Sequence, residues 1–450
     1  MGTDSRQRET EWIGAAEAAS RLGIKPASLY AYVSRGTLAR RRDPDGRGSL
    51  FDAAEIARLA VKGRPRRVPA GTELLIESSL TEISGNRLRY RGHDAIALAR
   101  QARFEDVAVL LWTGALGDLA DGESWQATAA ALAAGRAAQA ALPAGTPPLE
   151  RLQVIVPAMA ATDPLRLHLD RPAVIAAGRA LIGGLADCLP GAAGSGPARP
   201  AAAAGHPDGH ARRGPAGLPA ASDPDENAGP AAGPGSVAGR LARALCPGPV
   251  PAGLAGAVQT ALVLTADHEL AASTLAARVA ASVRADPYAV VATGLGAVGG
   301  ALHGGAALGA EVMLNSAQDP ADVPRVVGDL LRRGERIPGF GHFVYKTGDP
   351  RAAALLQVTS QHAPDSPRLA VARAVIAEAQ RRALPEPNID FALATLTSVA
   401  GMLPGAGEAI FAVARTAGWL AHALEEYERG APIRPRSIYT GPAARMTVGE

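Results

Sequence analysis

Three histidines and one aspartate interrupt apolar segments in the C-terminal half of the chain. His268 lies in TADHELAAS, and His303 precedes two glycines in GGALHGGAALGAEV. His342 lies in PGFGHFVYKTGDPR, and Asp390 has apolar neighbours in EPNIDFALATL. A carboxylate among apolar residues binds a proton more tightly, and imidazole exchanges protons near neutral pH. Each residue alone is more often a satisfied core or cap residue, so they indicate acid and base chemistry only if they act together.

The loop PGFGHFVYKTGDPR predicts a site for an anionic ligand. Gly339 and Gly341 allow backbone angles, or a close approach of a ligand, that larger residues forbid, and the prolines stiffen the ends of the loop. His342, Lys346 and Arg351 follow within a few residues, against a single acid. The loop is therefore expected to present cationic groups.

Taken in order, these segments resemble the citrate synthase family. That family carries a DHE histidine, an LHGGA histidine, a PGFGH loop that ends in DPR, a PN-(V/I)-DF aspartate, an ARTxGW arginine and a final RPRxxYTG, and this sequence contains each of them. Upstream, ISGNRLRYRGHDAIALARQARFEDVAVLLW resembles the family's N-terminal motifs. The likeness spans about residues 75–445 and assigns the domain to 75–450. It implies an all-α homodimer with a large domain and a small domain at about 285–390.

The resemblance implies a condensation of an acyl-CoA with oxaloacetate. A weakly acidic carbon must lose a proton while the thioester oxygen gains charge, which requires a carboxylate base together with a hydrogen-bond donor. Asp390 would be the base, and His303 would stabilise the enolate as a neutral imidazole. His342 would polarise and protonate the oxaloacetate carbonyl. The products would be citrate from acetyl-CoA, or 2-methylcitrate from propionyl-CoA, and free CoA.

The remaining positions of the resemblance imply binding roles. Guanidinium groups bind carboxylates in a bidentate geometry that lysine cannot reproduce. The family pattern implies no tightly bound cofactor, and the sequence predicts no metal site. The expected oxaloacetate-binding residues are His268, Arg351, Arg415, Phe411 and Arg434, the last from the other subunit, and the expected CoA-binding residues are Lys346, Gly339 and Gly341.

Residues 1–67 indicate a separate unit. A helix from about Ala15 to Leu22, a glycine-containing turn and a second helix in KPASLYAYVSRG are typical of a helix-turn-helix. With the arginine-rich segment LARRRDPDGRGSLFD as a wing, the unit resembles the MerR-like and excisionase-like families. A helical docking module with solvated arginines is the alternative. The residues expected to face DNA are Lys25, Ser28, Tyr30, Arg35, Arg40, Arg41 and Arg42.

Composition agrees with a helical protein that has a basic N-terminal part. Of 450 residues, 47% are hydrophobic but only 4% aromatic, and alanine and leucine favour helices. Residues 1–67 hold 14 Lys and Arg against 8 Asp and Glu, an asymmetry that hints at a polyanion partner. Neither a signal peptide nor a membrane span is expected, and two cysteines do not suggest a disulfide framework. We expect a soluble cytoplasmic protein.

Residues 190–234 contain almost no large apolar side chain. Such a segment cannot recover its ordering entropy by burial, so we expect a disordered insertion. His206 and His210 lie in it without nearby carboxylate or cysteine partners, and they are not interpreted as metal ligands.

Two classes of function therefore fit the sequence. The first is the condensation, and the second is a DNA-binding transcriptional regulator that uses the synthase-like domain as a ligand sensor. The set of His303, His342 and Asp390 favours chemistry, because a sensor needs only the arginines. Thr265 and Phe343 depart from residues common in the family, and they are expected to alter substrate choice or rate rather than to remove a catalytic position.

Overall fold

The structure is a computed structural model of the chain, and it describes residues 11–22, 29, 33, 38–43, 48–57, 75–116, 125–190 and 232–441. The chain divides into two compact units, Met1–Ile76 and Glu77–Glu450. Most of residues 190–234 lie outside the described part, so the expected disorder of that segment stays a prediction. Each unit has its own hydrophobic core.

The N-terminal unit contains a three-stranded antiparallel sheet of order β1-β3-β2. Strand β1 (Trp12–Gly14) leads into helix α1 (Ala15–Leu22), which confirms the helix predicted there. Strands β2 (Arg40–Arg42) and β3 (Ser49–Asp52) pair with Arg41 opposite Leu50. Within the predicted recognition helix, the structure describes Leu29 and Val33 as helical, whereas Lys25, Ser28, Tyr30 and Arg35 lie outside the described residues. The core of the unit consists of Ile13, Ala18, Ala19, Leu29, Leu38, Phe51, Ala53 and Ile56.

The larger unit opens with a small antiparallel meander and is then mostly helical, as predicted. Its strands are β4 (Thr81–Ser84), β5 (Arg87–Tyr90) and β6 (His93–Asp94). A short 3-10 helix covers Pro320–Asp322. The α-helices are α2 (Ala95–Gln101), α3 (Phe104–Thr113), α4 (Ala129–Ala140), α5 (Pro148–Ala160), α6 (Arg171–Cys188), α7 (Val237–Leu245), α8 (Leu254–Thr265), α9 (Ala272–Ser282), α10 (Pro287–Val298), α11 (Gly305–Asn315), α12 (Val323–Arg332), α13 (Pro350–His362), α14 (Pro367–Arg381), α15 (Ile389–Val399) and α16 (Ala406–Arg429).

Short polar side chains begin many of these helices. Asp94, Asp170 and Asp286 each accept hydrogen bonds from backbone N–H groups in the first turn, which satisfies donors that have no partner inside the helix. Ser366 occupies the N-cap position of α14, with a proline at the next position, but its side chain makes no cap hydrogen bond.

The largely apolar segment at residues 254–282 forms two helices, α8 and α9, rather than one continuous helix. The break falls at residues 266–271, where Asp267 is fully buried and Glu269 has a φ of +49°. The Tyr90 hydroxyl donates to the backbone carbonyl of Asp267 at 3.2 Å. Polar groups outside the helix thus hold the backbone at the break.

Helix α16 is buried along most of its 24 residues and crosses the main core. The Trp112 indole on α3 donates to the Ala417 carbonyl at 2.9 Å. A second core, which includes Val327, Val375 and Phe391, joins helices α11, α12, α14 and α15. Within the described ranges, no helix has the length and apolar character needed to cross a membrane.

Gly418 sets how closely α16 approaches the break between α8 and α9. A Cβ atom there would lie 2.5 Å from the Ala266 carbonyl oxygen and 2.5 Å from Oδ1 of Asp267. Because backbone must move to accept it, we expect Gly418→Ala to lower the free energy of unfolding by about 1–3 kcal/mol. Urea denaturation measures the change.

Gly296→Ala in α10 is the matched control, because a Cβ atom there meets nothing within 4 Å. Alanine favours a helix over glycine by about 1 kcal/mol, so the control is expected to unfold at equal or higher urea. Equal stability of the two variants would contradict the close contact at Gly418.

Candidate active site

A cavity of about 440 Å³ in the larger unit collects most of the predicted site residues. It lies where the loops before α9, α11 and α13 meet the first turns of α15 and α16. Seven predicted residues line it, and they come from five separate segments of the sequence. These residues are His268, His303, His342, Arg351, Asp390, Phe411 and Arg415.

The loop that carries His342 is fixed by glycine backbone and by Asn388. Gly339 and Gly341 have φ values of +78° and +77°, and a Cβ atom on Gly339 would lie 2.7 Å from Cβ of Phe391. The Asn388 amide donates to the Gly341 carbonyl at 2.9 Å. Larger residues would therefore strain or displace the loop, which accounts for both glycines.

His342 is held as a neutral imidazole with a defined tautomer. Its Nδ1 accepts the backbone N–H groups of Val344 at 3.0 Å and Tyr345 at 3.3 Å, so the ring proton is on Nε2. Burial lowers the pKa of His342, and the positive charge of Arg351 lowers it further. Nε2 is thus a hydrogen-bond donor.

His268 packs beside His342. The ring centroids are 5.3 Å apart, and Nε2 of His268 lies 3.0 Å from the Tyr345 hydroxyl. Burial, and then Arg351 and Arg415, hold the pKa of His268 well below its usual range. His268 is therefore also uncharged near neutral pH.

His303 lies in the turn before α11, opposite Ser273 at the start of α9. Its Nε2 is 2.8 Å from the Ser273 hydroxyl, which also accepts the Trp419 indole N–H at 3.3 Å. The serine hydrogen is then available to Nε2, which places the imidazole proton on Nδ1. Burial, aided by Arg415, lowers the pKa of His303 to about 4. His303 is a neutral donor.

Asp390 stands in the first turn of α15. The Asn388 side chain accepts the backbone N–H groups of Asp390 and Phe391, which fixes the start of this helix. Burial raises the pKa of Asp390 to about 6, although Arg351 acts in the opposite direction. A carboxylate with this proton affinity suits general base catalysis near neutral pH.

The two buried arginines differ in how their donors are used. Arg351 forms a bidentate pair with Asp349, at 3.0 and 2.8 Å, and this pair raises the pKa of Arg351 against the effect of burial. Arg415 donates from Nε to the Thr265 carbonyl at 2.8 Å, and its guanidinium lies 4.5 Å from the Phe411 ring. Its Nη1 has no hydrogen-bond partner among the described residues. Arg415 therefore has a donor available for an anion.

Apolar side chains form an exposed rim at the mouth of the cavity. Leu302 is fully exposed, Phe343 is 89% exposed, and both line the opening. Nζ of Lys346 lies 5.0 Å from the centre of the Phe343 ring. Lys346 itself does not line the cavity.

A buried ionic network lies behind the cavity and was not predicted from the sequence. Asp267 Oδ2 accepts from Thr81, and lies 3.2 Å from Nε2 of His422. His422 Nδ1 lies 2.7 Å from Nη1 of Arg278, and Arg278 donates from Nε to Glu426 at 2.6 Å. Burial opposes the charge of Asp267, but His422 and Arg415 lower its pKa. The spacing of His422 and Glu426 on one helix face was a signal for this network.

Four predicted residues lie outside the lining of the cavity. Gly339 and Gly341 shape the loop from behind, and Lys346 is on its outer side. Arg434 is exposed in the extended segment after α16. Conversely, Glu408 lines the cavity and was not predicted.

Comparisons of the sequence with known proteins find citrate synthases and a 2-methylcitrate synthase. A family model described as citrate synthase, C-terminal domain, matches residues 71–436. A citrate synthase of Haloferax volcanii is 33% identical over 397 residues, which cover 82% of this chain and 94% of that protein. A 2-methylcitrate synthase of Corynebacterium glutamicum is 34% identical over 194 residues, 42% of this chain and 51% of that protein.

A solved structure also matches most of the chain. It is the ternary complex of the Thermoplasma acidophilum citrate synthase with carboxymethyl coenzyme A and oxaloacetate, with a TM-score of 0.63 and 27% identity. The match covers 83% of this chain and 96% of that one.

Arg278 stabilises the network behind the cavity. Arg278→Met leaves the carboxylate of Glu426 buried without its partner, so we expect the free energy of unfolding to fall by about 3–5 kcal/mol. Chemical denaturation followed by circular dichroism measures it. Arg325→Met, which removes an arginine from exposed ion pairs, is the control and is expected to change little. Similar losses in both variants would contradict the role of Arg278.

Proposed function

Because this chain belongs to the citrate synthase family, we propose roles for its cavity residues in the reaction of that family. The protein is an enzyme that condenses an acyl-CoA with oxaloacetate to give citrate or 2-methylcitrate and CoA. Citrate synthases use the acyl-CoA as a cosubstrate and have no tightly bound cofactor. The observation that carries the proposed roles is that His303, His342 and Asp390 line one cavity with a buried arginine whose Nη1 has no partner in the described chain.

Asp390 removes the proton from the carbon next to the thioester carbonyl. The electrons of the broken C–H bond move onto the thioester oxygen, where the Nδ1 hydrogen of His303 stabilises the charge. His303 acts as a neutral donor, which agrees with its lowered pKa. The buried position of Asp390 and its raised pKa suit a base for so weak an acid.

His342 acts on the oxaloacetate carbonyl. Its Nε2 hydrogen polarises that carbonyl, and it passes to the oxygen as the enolate carbon bonds to the carbonyl carbon. The Nδ1 contacts with two backbone N–H groups support this orientation of the ring. Water then cleaves the thioester of the condensed product, which gives a carboxylate and the CoA thiol.

Oxaloacetate is bound as a dicarboxylate. Arg415 supplies the Nη1 donor, and Arg351, His268 and Phe411, which line the same cavity, contribute further contacts. A dimer is typical of the family, and we assign Arg434 to the site of a second copy of the chain because it is exposed and lies outside the lining of its own cavity.

CoA extends from the cavity along the loop of Gly339 and Gly341, with Lys346 toward its phosphates. We further propose that a small domain at about residues 285–390 closes over both substrates, and the second core, from Ala310 to Ala394, lies largely within it. Free, buried cysteines agree with the proposal of an enzyme of the cytoplasm.

The alternative of a ligand sensor is not favoured, because the matches that cover most of the chain are to citrate synthases. DNA binding by the N-terminal unit is a separate proposal. Strand β2 exposes Arg40, Arg41 and Arg42 and pairs with β3, as in the wing of a winged helix-turn-helix. Arg41 lies 4.5 Å from the Trp12 ring. The proposed recognition residues Lys25, Ser28, Tyr30 and Arg35 lie outside the described residues.

Removal of the proposed base is expected to abolish most turnover. With oxaloacetate and acetyl-CoA or propionyl-CoA, Asp390→Ala should lower kcat by about 10²–10⁴-fold in a thiol-release assay, because a positioned base contributes that much. Asp365→Ala, in an exposed turn, is the control and should keep the wild-type rate. Equal thiol release by wild type and Asp390→Ala with both donors would rule out the proposed role.

The dependence of kcat on pH in the same assay is a second test of Asp390 as the base. Asp390 must be ionised, so kcat of the wild type should rise as the pH increases through about 6 and fall below it. His303, with a pKa of about 4, and His268, whose pKa is held well below its usual range, stay neutral there and do not produce this change.

DNA binding is tested on the full chain by gel shift with a random-sequence duplex. Arg40→Ala combined with Arg42→Ala should weaken binding about tenfold or more at low salt and reduce the salt slope by about 2, because two phosphate contacts are lost. Arg325→Ala combined with Arg332→Ala removes the same charge from exposed positions of the larger unit. If both double variants weaken binding equally, the wing does not contact DNA.

A further inference from the structure

Glu408 is a buried carboxyl group that the mechanism above does not use. It lies in the first turn of α16, is only 6% exposed, and lines the cavity together with His303, Ala307 and Phe411. Its side chain forms no hydrogen bond or ion pair with any residue that the structure describes. Its carboxyl group opens into the cavity, so a ligand that excludes water from the cavity must replace the hydrogen bonds that water makes there.

A neighbouring glutamate shows the contrast. Glu311 on α11 has the same exposure, 6%, but its carboxylate accepts the backbone N–H groups of Gly405 at 2.8 Å and Gly407 at 3.2 Å and the Thr397 hydroxyl at 3.2 Å. Glu311 therefore ties α11 to the start of α16. Glu408 makes no such contacts, which leaves its carboxyl group available to a ligand in the cavity.

The charges that face Glu408 are all acidic. They are Glu311 on α11, Asp390 on α15 and Glu150 on α5, and no cation among the described residues pairs with it. Burial first, and then these carboxylates, raise the pKa of Glu408 to about 7. A large fraction of Glu408 is thus protonated at neutral pH, when it can donate one hydrogen bond and accept others.

The proposed function fixes where the acyl group must lie. Asp390 has to reach a hydrogen on the carbon next to the thioester carbonyl, and His303 has to reach the carbonyl oxygen. A substituent on that carbon lies in the same cavity as Glu408. An oxygen there can satisfy the carboxyl group, whereas a methyl group would exclude water and leave it unpaired.

We propose that Glu408 selects the acyl donor, favouring a 2-hydroxyacyl-CoA over an alkyl acyl-CoA of the same size. This inference rests on the proposed function. The pair that tests it is glycolyl-CoA and propionyl-CoA, which differ only by a hydroxyl group in place of a methyl group. A site built to hydrogen-bond a hydroxyl group rejects the analogue that lacks it more strongly than an apolar pocket rejects an added hydroxyl.

The further reaction is a condensation of glycolyl-CoA with oxaloacetate. Asp390 takes a proton from the hydroxyl-bearing carbon, and that carbon bonds to the oxaloacetate carbonyl carbon. The carbonyl oxygen takes its proton from His342, and water cleaves the thioester. The products are a hydroxylated citrate and CoA, and no oxidant or reductant is needed.

The experiment measures kcat/KM for acetyl-CoA, glycolyl-CoA and propionyl-CoA with saturating oxaloacetate, on the full-length protein. Wild type should prefer glycolyl-CoA to propionyl-CoA by about tenfold or more, and Glu408→Leu should lower this ratio by about tenfold or more. Glu408→Gln should keep the preference, because an amide still donates and accepts. Glu408→Met provides an unbranched apolar side chain if the leucine variant does not fold.

The control is Glu269→Gln, which removes a carboxylate from the exposed side of the same cavity, where Glu269 accepts the backbone N–H of Ile83. It should leave the donor ratio unchanged. A wild type that prefers propionyl-CoA, or an unchanged ratio in the apolar Glu408 variants, overturns the inference while acetyl-CoA turnover stands. No thiol release from acetyl-CoA above the Asp390→Ala level would instead overturn the proposed function.

Discussion

The buried carboxylate of Asp267 joins the parts of the larger unit that build the site. It accepts from Thr81 of the small meander and contacts His422 of α16, and the adjacent residue is His268. A charge without access to water must be paired, so helix α8 has to end where these partners converge. The ion pairs of Arg278 with Glu425 and Glu426 continue the same network into α16. The position of His268 thus depends on the buried contacts of the adjacent Asp267 as well as on the residues that line the cavity.

Charge is distributed unevenly around the cavity, and this determines its chemistry. Burial, and then Arg351 and Arg415, hold the pKa of His268 well below its usual range, so that this ring stays neutral. Arg351 is paired with Asp349, whereas Nη1 of Arg415 has no hydrogen-bond partner among the described residues. Burial raises the pKa values of Asp390 and Glu408, which line the same cavity. The cavity therefore combines an unpaired guanidinium donor with two carboxyl groups of raised proton affinity.

The sequence was sufficient to predict seven of the residues that line the cavity, since each histidine and the aspartate stand in short motifs whose order is itself informative. It could not predict contacts between distant segments. The bidentate pair within the loop that ends at Arg351, and the contact of His422 with Asp267, depend on side-chain directions that only the fold fixes. Glu408 was missed because a glutamate in the first turn of a helix is normally a solvated capping residue, and its burial arises from the packing of α11 and α15 against α16. For the N-terminal unit, a helix pattern correctly predicted α1, but periodicity says nothing about what an arginine-rich strand contacts.

The exposed rim of Leu302 and Phe343 has a consequence for calorimetry. These side chains lie at the mouth of the cavity, where the proposed binding of acyl-CoA would cover them. Removing apolar surface from water lowers the heat capacity of the system. Binding of the second substrate should therefore become more exothermic with rising temperature. The slope of the binding enthalpy against temperature measures how much apolar surface of the rim is covered in the complex with both substrates.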